Sequence, residues 1–374
     1  MVLQGDSDII LKGLRSNKKK MVDNSNRRPW SELPDALLYM ITKLLGTIDY
    51  LMFGCVCRAW RLYAVANRQE FMASQPPLVM FMPNRSKRAC YFYNIFDGRK
   101  YKAKLPNLVG KICYRISYGY LVVEDQIDAV NSQIWLINPF TRHELRVLSP
   151  PLEHNRVILA SLETPLSKFV IIAFRRYDSY LQFCRSTYAD WSHCDCNDHW
   201  IFVDLTVYKR KLYAITTGAG IGVVNLNSCP YVTPLEVKSI PNLKGGLWLR
   251  GTDEQLLLIN AIGNNHEVYE LNFLKMEWVK MQNLGDQALF LDYYEGGLGF
   301  SNKTRWKDSE RPSNGRYYFD PDNTDIWFHF MDGRRHQSFP FMGRKCMPNT
   351  LRFKPSWYFP HESCNVDLSL KSQD

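Results

Sequence analysis

The sequence predicts an α+β protein in two domains, a small all-α module followed by a mainly-β domain that forms a β-propeller of about six blades. Three observations predict it. Residues 30–60, WSELPDALLYMITKLLGTIDYLMFGCVCRAW, place apolar side chains at helical spacing. From Leu78 onward the chain changes to short apolar runs separated by turn residues, with no long amphipathic helix between them. Within that second part a turn signature recurs at a period of about 45 residues.

Residues 1–27 are polar and charged with little periodicity and are expected to form a disordered tail. The helical domain is expected over residues 28–74. Leu37, Leu38, Ile41, Leu44 and Leu45 fall on one helical face. Pro34 suits the first helical turn, where a missing N–H costs nothing, and Asp35 complements the positive helix end. Gly46 is expected to end this helix in a left-handed cap. Asp49 is expected to cap a second helical segment carrying Leu51, Phe53, Val56, Cys57, Trp60 and Tyr63 and running on through Leu62–Arg68. A helical unit this short rarely buries a sufficient core alone, so its surplus apolar surface needs a partner. Gln75-Pro76-Pro77 marks the boundary, because consecutive prolines stop a helix and favour extended chain.

The β domain is expected over residues 76–364. Its clearest strands are Leu78–Met82, Tyr120–Val123, Ile134–Ile137, Phe169–Phe174 and Ile201–Leu205, followed by Leu212–Ile215, Gly222–Leu226, Leu256–Ile259, Val268–Leu271 and Ile326–Phe330. Several end in an apolar residue followed by Asn or Asp and a polar turn, with pivots at Asp97, Asn138, Asn227, Asn272 and Asp332. The steps of 41 and 45 flank a gap of 89, twice the period, and Trp191 lies six residues after Arg185 as Trp278 lies six after Asn272. The last step, 60, contains the polar insert Ser301–Gly315, expected as a long surface loop. A β-sandwich would not require such a period. Such a β domain has no need of a helical lid, which makes an external partner the expected sink for the helices' surplus surface.

Composition narrows the function classes. No secretory signal precedes the basic run Lys18–Lys20, and the uncharged stretch Leu212–Leu235 is broken by glycines, prolines and hydroxyls, so a soluble chain is expected. Ten cysteines in a chain of this length without an export signal are expected to be reduced thiols, and the sequons at Asn84 and Asn302 to be unused. The net charge of +10 is spread along the chain, its densest clusters lying outside the strands, and is read as a solvated surface.

The chemistry-bearing clusters are weak. His193-Cys194-Asp195-Cys196-Asn197-Asp198-His199 lacks the second ligand pair of a structural zinc site and is read as a turn between strands. Gly218-Ala219-Gly220-Ile221-Gly222 precedes a strand rather than a helix, so it offers no anion-binding helix terminus and is read as a hairpin turn. No nucleophile has a base and an orienter at a diagnostic spacing. No catalytic residue, metal or cofactor is therefore expected. Basic and aromatic residues alternate over Arg85–Tyr93, a pattern that stacks single-stranded RNA but is read here as strand and turn.

Trp30, Leu33-Pro34, Leu37-Leu38, Ile41, Leu44, Asp49, Val56-Cys57-Arg58 and Trp60-Arg61 resemble the F-box motif, W-x-x-L-P, a Leu/Ile-rich helix, a break, then V-C-[KR]-x-W-[KR]. The match covers about 45 residues. The resemblance implies a helical module that docks on a Skp-type adaptor, and through it on a cullin, with Leu33, Pro34, Leu37, Ile41, Val56, Cys57 and Trp60 supplying the apolar contacts. Residues 285–291 with the Gly-Leu-Gly-Phe-Ser that follows, Ile134–Pro151 and Ser356–Pro360 are similar to plant F-box proteins with a kelch-like C-terminal half of uncharacterised function. That family implies a non-catalytic substrate receptor of a ubiquitin ligase, cytoplasmic or nuclear, recruiting a protein substrate. Two other classes stay open on the residues: a kelch-like metal-binding or enzymatic propeller, and an RNA-binding module.

Overall fold

The computed structural model describes residues 30–83, 88–125, 132–162, 169–185, 190–195, 200–227, 229–241, 243, 245–252, 254–262, 265–292, 298–306, 310–319, 325–332, 334–339 and 351–362. The expected tail, residues 1–27, lies outside them, as do Asn84 and Lys18–Lys20. No helix among the described residues is long and apolar enough to cross a membrane.

Four short helices open the described chain: α1 (Asp35–Lys43), α2 (Thr47–Phe53), α3 (Arg58–Ala66) and α4 (Arg68–Ala73). Their ends differ from expectation. Pro34 precedes the helix as its N-cap, with ψ 147°, and its carbonyl accepts the Leu37 and Leu38 N–H groups. Gly46 does not end α1, which closes at Leu44 in right-handed geometry; it is the extended N-cap of α2. The small residue is needed there for space, since a Cβ would sit 2.9 Å from the Tyr101 hydroxyl. Asp49 is therefore in the first turn of α2 rather than capping it. The second helical segment breaks at Gly54–Cys57, and Cys57 caps α3 by accepting the Trp60 N–H on its Sγ at 3.5 Å.

The rest is strand. Blade one contains β1 (Leu78–Pro83), β2 (Ala89–Tyr93) and β3 (Lys100–Lys104); blade two β4 (Lys111–Ser117), β5 (Tyr120–Asp125), β6 (Gln133–Ile137) and β7 (Glu144–Leu148). Blade three contains β8 (Arg156–Ser161), β9 (Phe169–Phe174), β10 (Tyr180–Cys184) and β11 (Ser192–Asp195). In blade four are β12 (Phe202–Tyr208), β13 (Lys211–Thr216), β14 (Ile221–Asn225) and β15 (Tyr231–Pro234). Blade five has β16 (Gly246–Gly251), β17 (Leu256–Ile262), β18 (Asn265–Asn272) and β19 (Glu277–Lys280). Blade six has β20 (Gln287–Leu291), β21 (Leu298–Asn302), β22 (Gly315–Phe319), β23 (Ile326–Phe330) and β24 (Arg335–Phe339). The last strand, β25 (Leu351–Tyr358), returns to blade one and pairs antiparallel with β1, Val79 opposite Trp357. The six-bladed propeller is thus closed by its C-terminal strand.

Alternation along each central strand explains why these runs are apolar throughout. Successive side chains point to opposite sheet faces, and in a propeller both faces are covered by neighbouring blades. On β5, Leu121 and Val123 join the core shared with blade one, while Tyr120 and Val122 join the core shared with blade three. Equivalent cores lie between each remaining pair of blades.

The repeat signature has a structural cause. Asn94, Asn138 and Asn272 each accept, on Oδ1, the backbone N–H two residues on, which fixes the turn between the third and fourth strands of their blades. In blade one Asn94 directly follows the third strand as Asn138 does, and the expected pivot Asp97 makes the same kind of contact with the Arg99 N–H, as Asp332 does with that of Arg334. The expected surface loop after Ser301 is also corrected. Leu298–Asn302 is a strand, and the Lys303–Trp306 turn carries Trp306 into the core, where it is 2% exposed. This insertion makes β20 and β22 parallel neighbours, with β21 on the far side of β20.

The helices do rest on the propeller. Ile48 and Leu51 of α2 pack against the core between blades one and two, and Arg305 Nε donates to the Ala73 carbonyl at the end of α4. Gln75 in the connecting segment is 2% exposed. The Gln75–Pro77 boundary is a buried joint and not an open linker, because the prolines' apolar rings and the propeller surface exclude water from each other.

Candidate functional site

The helical module has a core of its own. Leu38, Tyr50, Phe53, Tyr63, Ala64, Phe71 and Met72 are buried together. Tyr50 stacks on Phe71 with ring centroids 3.8 Å apart and donates its hydroxyl to the Ala64 carbonyl at 2.9 Å. Burial pushes that hydroxyl's pKa up to about 12, so it stays a donor throughout the physiological range. Trp60 packs on Phe53 at 4.5 Å, and its indole N–H donates to the Trp30 carbonyl at 2.7 Å, tying the start of the module to α3.

Outside this core the module still exposes large apolar side chains. The stripe expected on one face of α1 is divided: Leu38 is buried and Ile41 and Leu45 are half-buried, whereas Leu37 is 45% and Leu44 82% exposed. Met40 joins them, and 37, 40 and 44 lie one above another at helical spacing. Val56, in the break before α3, is 56% exposed, and Met52, Leu62 and Val65 are exposed as well. Large apolar side chains are thus concentrated outside a core that is already formed.

The seven residues singled out from the sequence fall into two groups. Pro34, Leu37 and Val56 are exposed. Leu33, Ile41, Cys57 and Trp60 are half-buried, and Leu33, Ile41 and Trp60 pack against the module's core. Sequence reading missed Met40, Leu44 as an outward residue, Met52, Leu62 and Val65. The i, i+3, i+7 relation of Leu37, Met40 and Leu44 was the available signal, obscured because Leu38 and Ile41 lie beside them on the helical wheel.

The other candidate clusters do not converge. His193, Cys194 and Asp195 belong to β11, where Cys194 points into the core and His193 and Asp195 are exposed; a strand, not a turn, occupies these positions. Cys196–His199 lie outside the described residues. Among the described residues no three His, Cys, Asp or Glu side chains come together as a metal site. Gly218–Gly220 form the hairpin turn between β13 and β14, closed by the Thr216 N–H donating to the Gly220 carbonyl at 2.9 Å. Ala89–Tyr93 is a paired strand of blade one. The seven described cysteines are free thiols, and burial pushes that of Cys90 up to about 12.

Comparison with known proteins gives the same division of the chain. The F-box domain family matches residues 30–64, and the KIB1-4 beta-propeller family matches residues 92–303. The chain is similar to a probable F-box protein of Arabidopsis thaliana, 24% identical over 328 residues that cover 72% of this chain and 79% of the relative. A putative F-box/kelch-repeat protein of the same plant is 21% identical over 316 residues, covering 71% of this chain and 81% of that protein.

Proposed function

Because this chain belongs to the KIB1-4 β-propeller family and bears an F-box ahead of its propeller, we propose that it is the substrate receptor of a Skp–cullin–F-box ubiquitin ligase. The observation that carries the reading is the exposed stripe Leu37, Met40, Leu44 with Val56. These side chains remain outside even though the module has an internal core and rests on the propeller. An adaptor's apolar groove is the partner that would cover them, each buried side chain contributing about 1.5–3 kcal/mol before the cost of association. Pro34, Leu33, Ile41, Cys57 and Trp60 then shape and support that surface.

The helices sit at the end of the propeller that carries the turns after β4, β12 and β16, since Gln69 and Ala73 of α4 share a cavity with Tyr118, Lys209 and Thr252. This leaves the opposite end, with the turns at 175–179 and 217–220, for a protein substrate. The receptor performs no chemistry in this reading. It raises the effective concentration of substrate lysines beside a ubiquitin-carrying enzyme held by other subunits.

The test is capture of a Skp-type adaptor by the full chain and by a Leu37→Ala, Leu44→Ala, Val56→Ala triple variant. All three positions are exposed, so the variant should keep its unfolding temperature while capture falls more than tenfold. Undiminished capture would sink the docking assignment.

A further inference from the structure

The inner strands β4, β8, β12, β16 and β21, with β25 of blade one, ring the propeller axis, and on the side of α4 the first five line a cavity of about 810 Å³. That volume suits a small molecule. Its lining is rich in hydrogen-bond donors. Arg115 and Arg250 project from β4 and β16, and Lys209, Arg210 and Arg305 stand around the mouth. Against these five cations the lining offers two carboxylates, Glu254 and Glu362, and Glu362 is engaged by Arg250.

Two acids outside the lining, Asp204 and Asp292, lie near enough to act on Arg115, and each also accepts a backbone N–H. The Asp204 carboxylate accepts the Leu249 N–H at 2.9 Å, and that of Asp292 accepts the Trp357 N–H at 2.7 Å. Hydroxyls add to the bias. Ser117 Oγ accepts the Leu159 N–H and Thr206 Oγ1 accepts the Gly251 N–H, so each uses an acceptor lone pair on the neighbouring inner strand and keeps its own hydrogen to donate. Burial also lowers the pKa of Arg115, the signature of a guanidinium whose surroundings stabilise its charge incompletely.

We propose that this cavity binds a small free polyanion, a molecule bearing clustered phosphate or carboxylate groups, at the junction of the F-box helices and the propeller. Guanidinium groups and hydroxyl donors converging on one concave volume are the chemistry that recognises oxyanions. The position has a mechanical consequence. Arg305 holds the end of α4 through the Ala73 carbonyl, so a ligand on Arg305 would brace the adaptor-docking module against the propeller. The proposal does not depend on which protein the F-box recruits.

The experiment is calorimetric titration of the full chain with inorganic tripolyphosphate in 150 mM salt (a roughly physiological ionic strength), with orthophosphate and a singly phosphorylated serine hexapeptide as comparators. Tripolyphosphate should bind one to one, more tightly than either comparator, and raise the unfolding temperature. Arg115→Gln and Arg305→Gln should each weaken it at least tenfold, while Lys275→Gln on an exposed turn leaves it unchanged. If Arg115→Gln does not fold, Arg210→Gln at the exposed mouth gives the same reading. No binding, equal affinity in the cavity variants, or tighter binding of the phosphopeptide would overturn the proposal.

Discussion

Arg99, in the turn leading into β3, reaches the Asp49 carboxylate of α2 at 3.2 Å, so a charge on blade one holds a helix of the F-box. Both side chains are about half exposed. The contact orients the helix more than it stabilises it, since exposed ion pairs are worth about 0–1 kcal/mol. Beneath it Leu51 packs into two cores at once, the module's own and that between blades one and two.

The first prediction separates these roles. Asp49→Asn should lower stability by less than about 1 kcal/mol, whereas Leu51→Ala should cost about 2 kcal/mol or more. Denaturant unfolding of the full chain measures both. Equal effects would mean that the junction is held by charge rather than by packing.

Trp60 tests the distinction between docking and support. It packs on Phe53 and donates to the Trp30 carbonyl, so Trp60→Ala should destabilise the helical module by about 2–3 kcal/mol. Leu44→Ala, at a position 82% exposed, should change stability by less than about 0.5 kcal/mol. Both should reduce adaptor capture. Only the Trp60 variant should show faster proteolysis within residues 30–74.

Gly299 in β21 is a tight point of the ring closure. A Cβ there would stand 2.3 Å from the Phe359 ring, just beyond the closing strand β25. Gly299→Ala should push Phe359 out of its core, and destabilisation of about 1–3 kcal/mol is the usual scale for such overpacking. Phe359→Leu in the same chain should recover part of the loss. Failure of that second change to help would place the strain elsewhere.

His266 supplies a pH dependence. Burial, with the charges of Arg316 and His329, pushes its pKa down from 6.5 to about 4. The Tyr318 hydroxyl completes this surrounding through His329 Nε2. The folded state therefore binds the proton more weakly than the unfolded chain. Its contribution to stability is complete above about pH 6.5 and is lost as pH falls toward about 4, at up to about 1.4 kcal/mol per pH unit. Below that the slope from this residue vanishes. The difference in unfolding free energy between the native chain and His266→Gln, measured across this interval, should carry that slope; a pH-independent difference would contradict it.

Much of the fold was legible because local chemistry repeats. All ten strands named from the sequence are present, as their apolar runs are mostly buried, and the turns after β6 and β18 are set by Asn138 and Asn272 acting on their own backbone. Helix ends were misread where a distant residue decided them. Gly46 is small because of Tyr101, which lies 55 residues away in the chain. The Ser301–Gly315 insert looked polar enough for a loop, yet β20 offered it an open edge and the core offered Trp306 a place.

By itself the sequence determined the two-part division, a repetition of about six units and the F-box motif, because each rests on spacing within a few tens of residues. Only the tertiary structure decided which motif residues face outward, that the helices are seated on the propeller, and that cations from separate blades meet in one cavity. Those outcomes depend on contacts between segments far apart in the chain, where side chains compete for a limited set of buried positions and the losers are left exposed. Leu38 won such a place and Leu44 did not, although both lie in one apolar stripe of the sequence.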